Sequence, residues 1–295
     1  MTILPRHPIA RETPRVRRDR PALRRFLRDP RGVFSLVVLS LVLLAAIVSP
    51  LFEEAARLPD TTQLFAAPSW AHPLGTDELG RDTLARIIDG STVVLQVVVF
   101  AVGGALVLGT AIGLISGYRG GVVDSVAMRI VDAMLAFPLL VLALTIVAAL
   151  GSGLQNALIA IALVVTPRIA RVVRSEVLSL RTREWVAAAR IGGVPTVVIL
   201  YRHLLPHLAG TLLVFAALQA STAILAEAAL SFLGLGVQPP QASWGAMVAS
   251  GGDNLTRSWA LGVFPGLAIL LVITALNLLS DSLGDALGAR RRTSR

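Results

Sequence analysis

Two carboxylates, a pair of histidines and a short acidic run are the groups in this sequence whose positions suggest reactivity, and each has a plainer reading. Glu227 lies in an apolar stretch with no basic residue within two helical turns, near Gln219, Ser221 and Thr222. A charge so placed is costly, so it either faces a wet translocation path or bonds polar groups of a neighbouring helix. Asp132 follows Arg129 by three residues, the spacing of neighbours on one helix face, which predicts a local ion pair. His203 and His207 are four apart and could chelate a metal from one helix. Pro206 disturbs that helix, however, and there is no His-Glu-x-x-His pattern. Thr76-Asp77-Glu78 reads as a helix N-terminus, because it lacks the oxygen-rich clustering of a calcium loop.

Missing residue types exclude whole mechanisms. Without cysteine there are no disulfides, thiolate metal sites or cysteine nucleophiles. Without lysine there is no Walker A site, whose lysine must reach the nucleotide phosphates, so any use of ATP belongs to another polypeptide. No paired carboxylates or Ser-Lys pair of an intramembrane enzyme occurs within the apolar segments.

The elements that must hold these groups are membrane helices. Of the 295 residues, 55% are hydrophobic and 15% charged, well below the quarter usual for soluble chains. Mean hydropathy is +0.73. Charge-free runs at 33–52, 90–118 and 258–280 each reach the roughly 20 residues that cross a bilayer core. The reading is all-α, with six transmembrane helices at about 33–51, 91–116, 126–150, 154–169, 208–233 and 259–280. Of the 27 arginines, 23 fall in 1–32, 119–129, 168–202 and 290–295, and only Arg57, Arg81, Arg86 and Arg257 fall elsewhere. By the positive-inside rule both termini are cytoplasmic, and the net charge of +9 is topogenic rather than a sign of nucleic-acid binding. Trp70, Trp244 and Trp259 then mark outer interfaces, while Gly103-Gly104 and Gly109 to Gly113 let helices approach closely. The organisation expected is an arginine-rich tail (1–32), a first helix with its outer loop (33–89), a membrane core (90–281) with a cytoplasmic segment at 171–207, and a second tail (282–295).

Residues 181–207 carry the most information. They read as two short helices, the first capped by Thr182 with Glu184 in its first turn. Gly192-Gly193 stops it in a left-handed conformation, Pro195 opens the next helix, and Pro206 turns the chain back into the membrane.

This segment resembles the loop signature of the inner-membrane permeases of binding-protein-dependent ABC importers: Glu-Ala-Ala, three residues, Gly, nine residues, Ile, one residue, Leu-Pro. Ala188, Ala189, Gly193, Leu205 and Pro206 fall in register, while Ala187 replaces the glutamate and His203 the isoleucine. Glu184, one turn earlier, could partly replace the missing carboxylate. The runs at 24–36, 72–90, 117–138, 223–245 and 264–288 are similar to the C-type subunit of the dipeptide/oligopeptide branch, whose relatives also carry nickel and other small solutes. The resemblance implies a type I importer fold and a homologous B-type permease partner. It further implies two cytoplasmic ATP-binding subunits that hold ATP and Mg, a substrate-binding protein at the outer face, and no cofactor on this chain. The alternative is a proton-coupled carrier titrating Glu227 and Asp132.

Overall fold

The computed structural model describes residues 22–293, which are helical without a single strand. Of the first tail, residues 1–21 lie outside the described residues; the rest already holds α1 (Ala22–Phe26) and the start of α2 (Pro30–Val48). Asp29 caps α2 by accepting the Arg31 amide at 3.0 Å, with Pro30 in the first turn, where its missing N–H costs nothing. A 3-10 turn, Ser49–Phe52, then leads to α3 (Glu53–Arg57).

The second span begins eight residues earlier than expected. Helix α4 (Thr83–Gln96) passes through a π-helical turn, Val97–Val102, into α5 (Gly103–Arg119). Its charged first turn hides from sequence hydropathy, because Arg86 is satisfied by Asp77 of the preceding loop and by the Ala56 carbonyl at 3.1 Å. Asp82 caps the helix through the Ala85 amide at 2.7 Å. Thr76-Asp77-Glu78 is therefore not a helix start: Asp77 accepts from the Leu79 and Arg81 amides at 2.9 Å, and Thr76 and Asp82 form an isolated antiparallel bridge.

The third span is not one helix. α6 (Gly121–Leu135) and α7 (Leu139–Leu150) meet at 95°. Pro138 disfavours helical geometry at the residue before it, and that breaks the run. Among the described residues, five helices are long and apolar enough to cross a membrane, six if the bent pair counts as one.

The fourth, α8 (Leu154–Leu180), continues eleven residues past the expected end and contains Pro167. Its arginines need no loop because acids on α6 face them. Arg174 grips Asp124 with two hydrogen bonds, at 2.5 and 2.6 Å, and Arg171 pairs with Asp132. The ion pair of Asp132 is thus across helices and not with Arg129. Gly109, Gly113 and Gly117 form the seam between α5 and α8: a Cβ on Gly113 would lie 2.6 Å from the Cβ of Val173. Gly103-Gly104 has no such role, the nearest atom to a Cβ there being 3.8 Å away.

Helix α9 (Glu184–Ile191) and α10 (Thr196–Val198) follow, the latter beginning one residue after Pro195. A second π turn, Ile199–Leu204, carries the chain without a reversal into α11 (Leu205–Phe232). Pro206 therefore sits inside a continuous helix, next to the widened turn that relieves its missing amide. Helix α12 (Trp244–Asp253), absent from the sequence expectation, wedges between α11 and α13 (Ala260–Thr293). Only glycine fits there: a Cβ on Gly245 would lie 2.1 Å from the Ala228 carbonyl. The second tail is largely helical, since α13 runs to Thr293, and residues 294–295 lie outside the described residues. Trp70 and Trp259 are exposed, but Trp244 is buried, its indole N–H donating to the Ile87 carbonyl at 2.9 Å.

Candidate functional site

Helix α9 is closed at its C-terminus by a Schellman motif. The Gly193 amide donates to the Arg190 carbonyl and the Val194 amide to the Ala189 carbonyl, both at 3.1 Å, with Gly193 at φ +75°. At the other end the capping position is Arg183, with no side-chain bond, because the Thr182 hydroxyl donates backward to the Ser179 carbonyl at 3.1 Å.

The inner face of α9 is anchored. Val186 is fully buried, and Trp185 stacks on the His207 imidazole with centroids 4.7 Å apart. His207 also bonds the His203 carbonyl through Nδ1 at 2.8 Å, so these histidines bind the helix down. Among the described residues no cluster of acids and histidines could hold a metal. Arg190 lies over the Tyr118 ring, and Arg181 donates to the Gly117 carbonyl at 3.1 Å, which ties α9 to the end of α5.

The outer face of α9 is small and bare. Glu184, Ala187, Ala188, Ile191, Gly192 and Gly193 are all exposed, Ile191 to 87%. The signature positions divide accordingly. Ala188, Gly193 and Pro206 are exposed, whereas Ala189 and Leu205 are half-buried and pack toward the core. Glu184 and Ala187 share the exposed face, so a carboxylate is present beside the place of the signature glutamate.

At the opposite end of the bundle two buried carboxylates hold one tripeptide. Glu227 accepts from the Ser231 hydroxyl at 2.6 Å and the Ser243 hydroxyl at 3.2 Å. One partner lies on its own helix, α11, and the other is the N-cap residue of α12. Asp89, with no exposed side-chain surface, accepts from Ser49 Oγ, from Nε and Nη2 of Arg57, and from the Ala242 amide at 3.0 Å. Trp244 completes the clamp through Ile87 and packs where a Cβ on Gly90 would stand. Residues 242–244 are thereby fixed to α4 and α11 together. Sequence reasoning missed Asp89 as a site residue; its place immediately before the charge-free run at 90–118 was the single local sign.

The comparisons with known proteins agree with this architecture. Residues 109–293 match the family described as binding-protein-dependent transport system inner membrane component, and residues 20–68 match the N-terminal TM domain of oligopeptide transport permease C. A dipeptide transport system permease protein of Alkalihalophilus pseudofirmus is 41% identical over 93% of this chain and 90% of its own length. A glutathione transport system permease protein of Pectobacterium atrosepticum is 38% identical, over 92% and 90%. A di/tripeptide transport system permease protein of Pseudomonas aeruginosa is 40% identical, over 89% and 88%. These matches favour a permease over a free-standing proton-coupled carrier. The chain belongs to the family of binding-protein-dependent transport system inner membrane components.

Proposed function

We propose that this chain is the C-type permease of an ABC importer for di- and oligopeptides, forming half of the pathway beside a homologous B-type permease. The observation that carries the reading is the bare, small-residue face of α9, closed by Gly193 and backed by Trp185 and Val186. A helix held so firmly from behind and uncovered in front is built to seat in a partner's groove. That partner is one of two cytoplasmic ATP-binding subunits, which hold the ATP and Mg, while this chain carries no cofactor and is not an enzyme. A substrate-binding protein delivers peptide at the outer face. The peptide class follows from the names of the relatives. Glu227 enters this reading as part of the outer clamp, not as a wall of the pathway.

The test is reconstitution in liposomes. The purified chain alone hydrolyses no ATP; with the ATP-binding subunits, the second permease and a loaded binding protein, hydrolysis and uptake of labelled dipeptide appear together. Hydrolysis by the single chain, or uptake driven by a proton gradient without ATP, defeats the proposal. Uptake of nickel but not dipeptide keeps the permease role and changes the cargo.

We place the protein in the inner membrane with both termini cytoplasmic. In this cysteine-free chain, single cysteines at positions 10 and 290 should label only from the cytoplasm, and those at 62 and 238 only from outside. Position 238 is exposed, whereas the nearby Ala242 is fully buried and unsuited to labelling. Outside labelling of either terminus overturns the orientation.

A further inference from the structure

The third span breaks at a depth where backbone is hard to leave unpaired. Residues 136–138, between α6 and α7, are non-helical, and all three are exposed on this chain. Pro138 offers no side-chain cap, so the first amides of α7 have no partner within their own helix. Helix α7 has 12 residues, or about 18 Å at 1.5 Å per residue. Its far end adjoins the loop that leads to the outer clamp, since the Gly153 amide donates to the Leu235 carbonyl at 3.2 Å. The break therefore lies at most about 18 Å in from the outer end of a bilayer core of about 30 Å. Irregular backbone at that depth is tolerated only inside protein or against water.

The charges beside the break point the same way. Asp132 and Arg171 pair across α6 and α8 with 60% and 55% of their side-chain surfaces exposed. Arg171 stands 17 residues after Leu154, about 26 Å from the outer end of α8 and still within the core. Arg129, one turn before Asp132, is exposed and meets no acid among the described residues. Ser125, Arg129, Asp132 and Ala136 recur at the helical period, so one exposed face of α6 carries the charges up to the break. Exposed Val141, Thr145 and Ala148 continue it along α7. By contrast the exposed stripe of α2 is Val37, Leu41, Leu44 and Ile47, a surface suited to lipid tails. Hydrocarbon does not solvate an exposed ion pair or an unpaired arginine.

We infer that the polar face of α6 and the break at 136–138 line a water-filled space, and that this space is this chain's side of the translocation path. Water there hydrates Arg129 and the Asp132–Arg171 pair and takes up the open amides of α7. Peptide passing along it meets the short side chains of Ala136, Thr145 and Ala148. The traffic rests on the importer reading, whereas the wetness of the face rests on this chain alone.

The test places single cysteines at positions 136, 141 and 145 of this cysteine-free chain, in the complete importer with cysteine-free companions in liposomes. A membrane-impermeant sulfonated thiol reagent, on both sides and with ATP and loaded binding protein present, is the probe. Leu44→Cys on α2 is the hydrocarbon control. The three should react about fiftyfold faster than Leu44→Cys, from the cost of bringing charge into hydrocarbon. Their modification should stop ATP-driven uptake of labelled dipeptide. Thr145→Trp should do the same at normal membrane abundance, with the ATP-binding subunits still bound. Reactivity no greater than that of Leu44→Cys in transporting vesicles overturns the inference, since the face then lies in lipid. Efficient disulfide capture of Ala136→Cys by a cysteine on the companion permease, without reagent reactivity in any nucleotide state, also overturns it, because protein then covers the break. Absent uptake in the unaltered assembly defeats the importer reading and the path with it, while the reactivities still decide whether the face is wet.

Discussion

Gly193→Val leaves the chain in the membrane at normal abundance and abolishes ATP-driven uptake. The residue lies at φ +75°, a conformation that costs an ordinary side chain about 1–2 kcal/mol and a β-branched one more. Both hydrogen bonds of the Schellman motif depend on that conformation, so valine either strains the turn or releases Val194 and rotates the bare face of α9. A Cβ at Gly193 meets nothing within 4 Å in this chain. The fold therefore tolerates the added bulk, and any obstruction arises against a partner. Gly193→Asn should retain most uptake, because asparagine visits the left-handed region. Ala188→Glu should act like valine at 193 by placing charge on the exposed face. Membrane abundance, co-sedimentation of the ATP-binding subunits and uptake are measured on the same preparations. Normal uptake with Gly193→Val removes the coupling role from α9.

The contrast between this turn and the outer clamp explains what the sequence could reveal. A left-handed stop is a local constraint, and Gly192-Gly193 followed by Pro195 announces it within four residues. Apolar runs such as 33–52 are equally local, so the existence of each span was legible. The ends of the spans were not. Thr83–Asp89 carries Arg86 and Asp89 yet is helical, because Arg86 is satisfied by Asp77 and the Ala56 carbonyl, and Asp89 by Ser49, Arg57 and the Ala242 amide. Arg171 and Arg174 read as loop residues until their partners on α6, 39 and 50 positions away, are in place. The break at Pro138 was missed, the sequence reading running one helix over 126–150, although the chain geometry before a proline disfavours helix. Trp244 looked interfacial because its type is enriched there, but its indole N–H found a carbonyl 157 residues away.

Asp89→Ala should loosen the outer clamp and lower the stability of the chain. The carboxylate is fully buried and joins three segments: Ser49 and Arg57 from the first span, α4 itself, and the Ala242 amide 153 residues away. Removing one partner of a buried ion pair costs about 3–5 kcal/mol. The low end applies here, because Arg57 keeps 28% of its side-chain surface in solvent and retains its pair with Glu53. The orphaned Ala242 amide then frees residues 242–244, and with them the Ser243 bond to Glu227. A cysteine at Ala242 reports this directly: it should resist outside labelling in the otherwise unaltered chain and react once Asp89 is alanine, alongside a lower melting temperature in detergent. Arg57→Ala should be worse than Asp89→Ala, since it leaves a fully buried carboxylate without its cation. The double variant should recover part of that loss, because removing both charges abolishes the uncompensated one. If the cysteine stays unreactive and melting is unchanged in Asp89→Ala, the three segments are held by packing of Trp244 and Gly90 instead, and Asp89 is not the clamp.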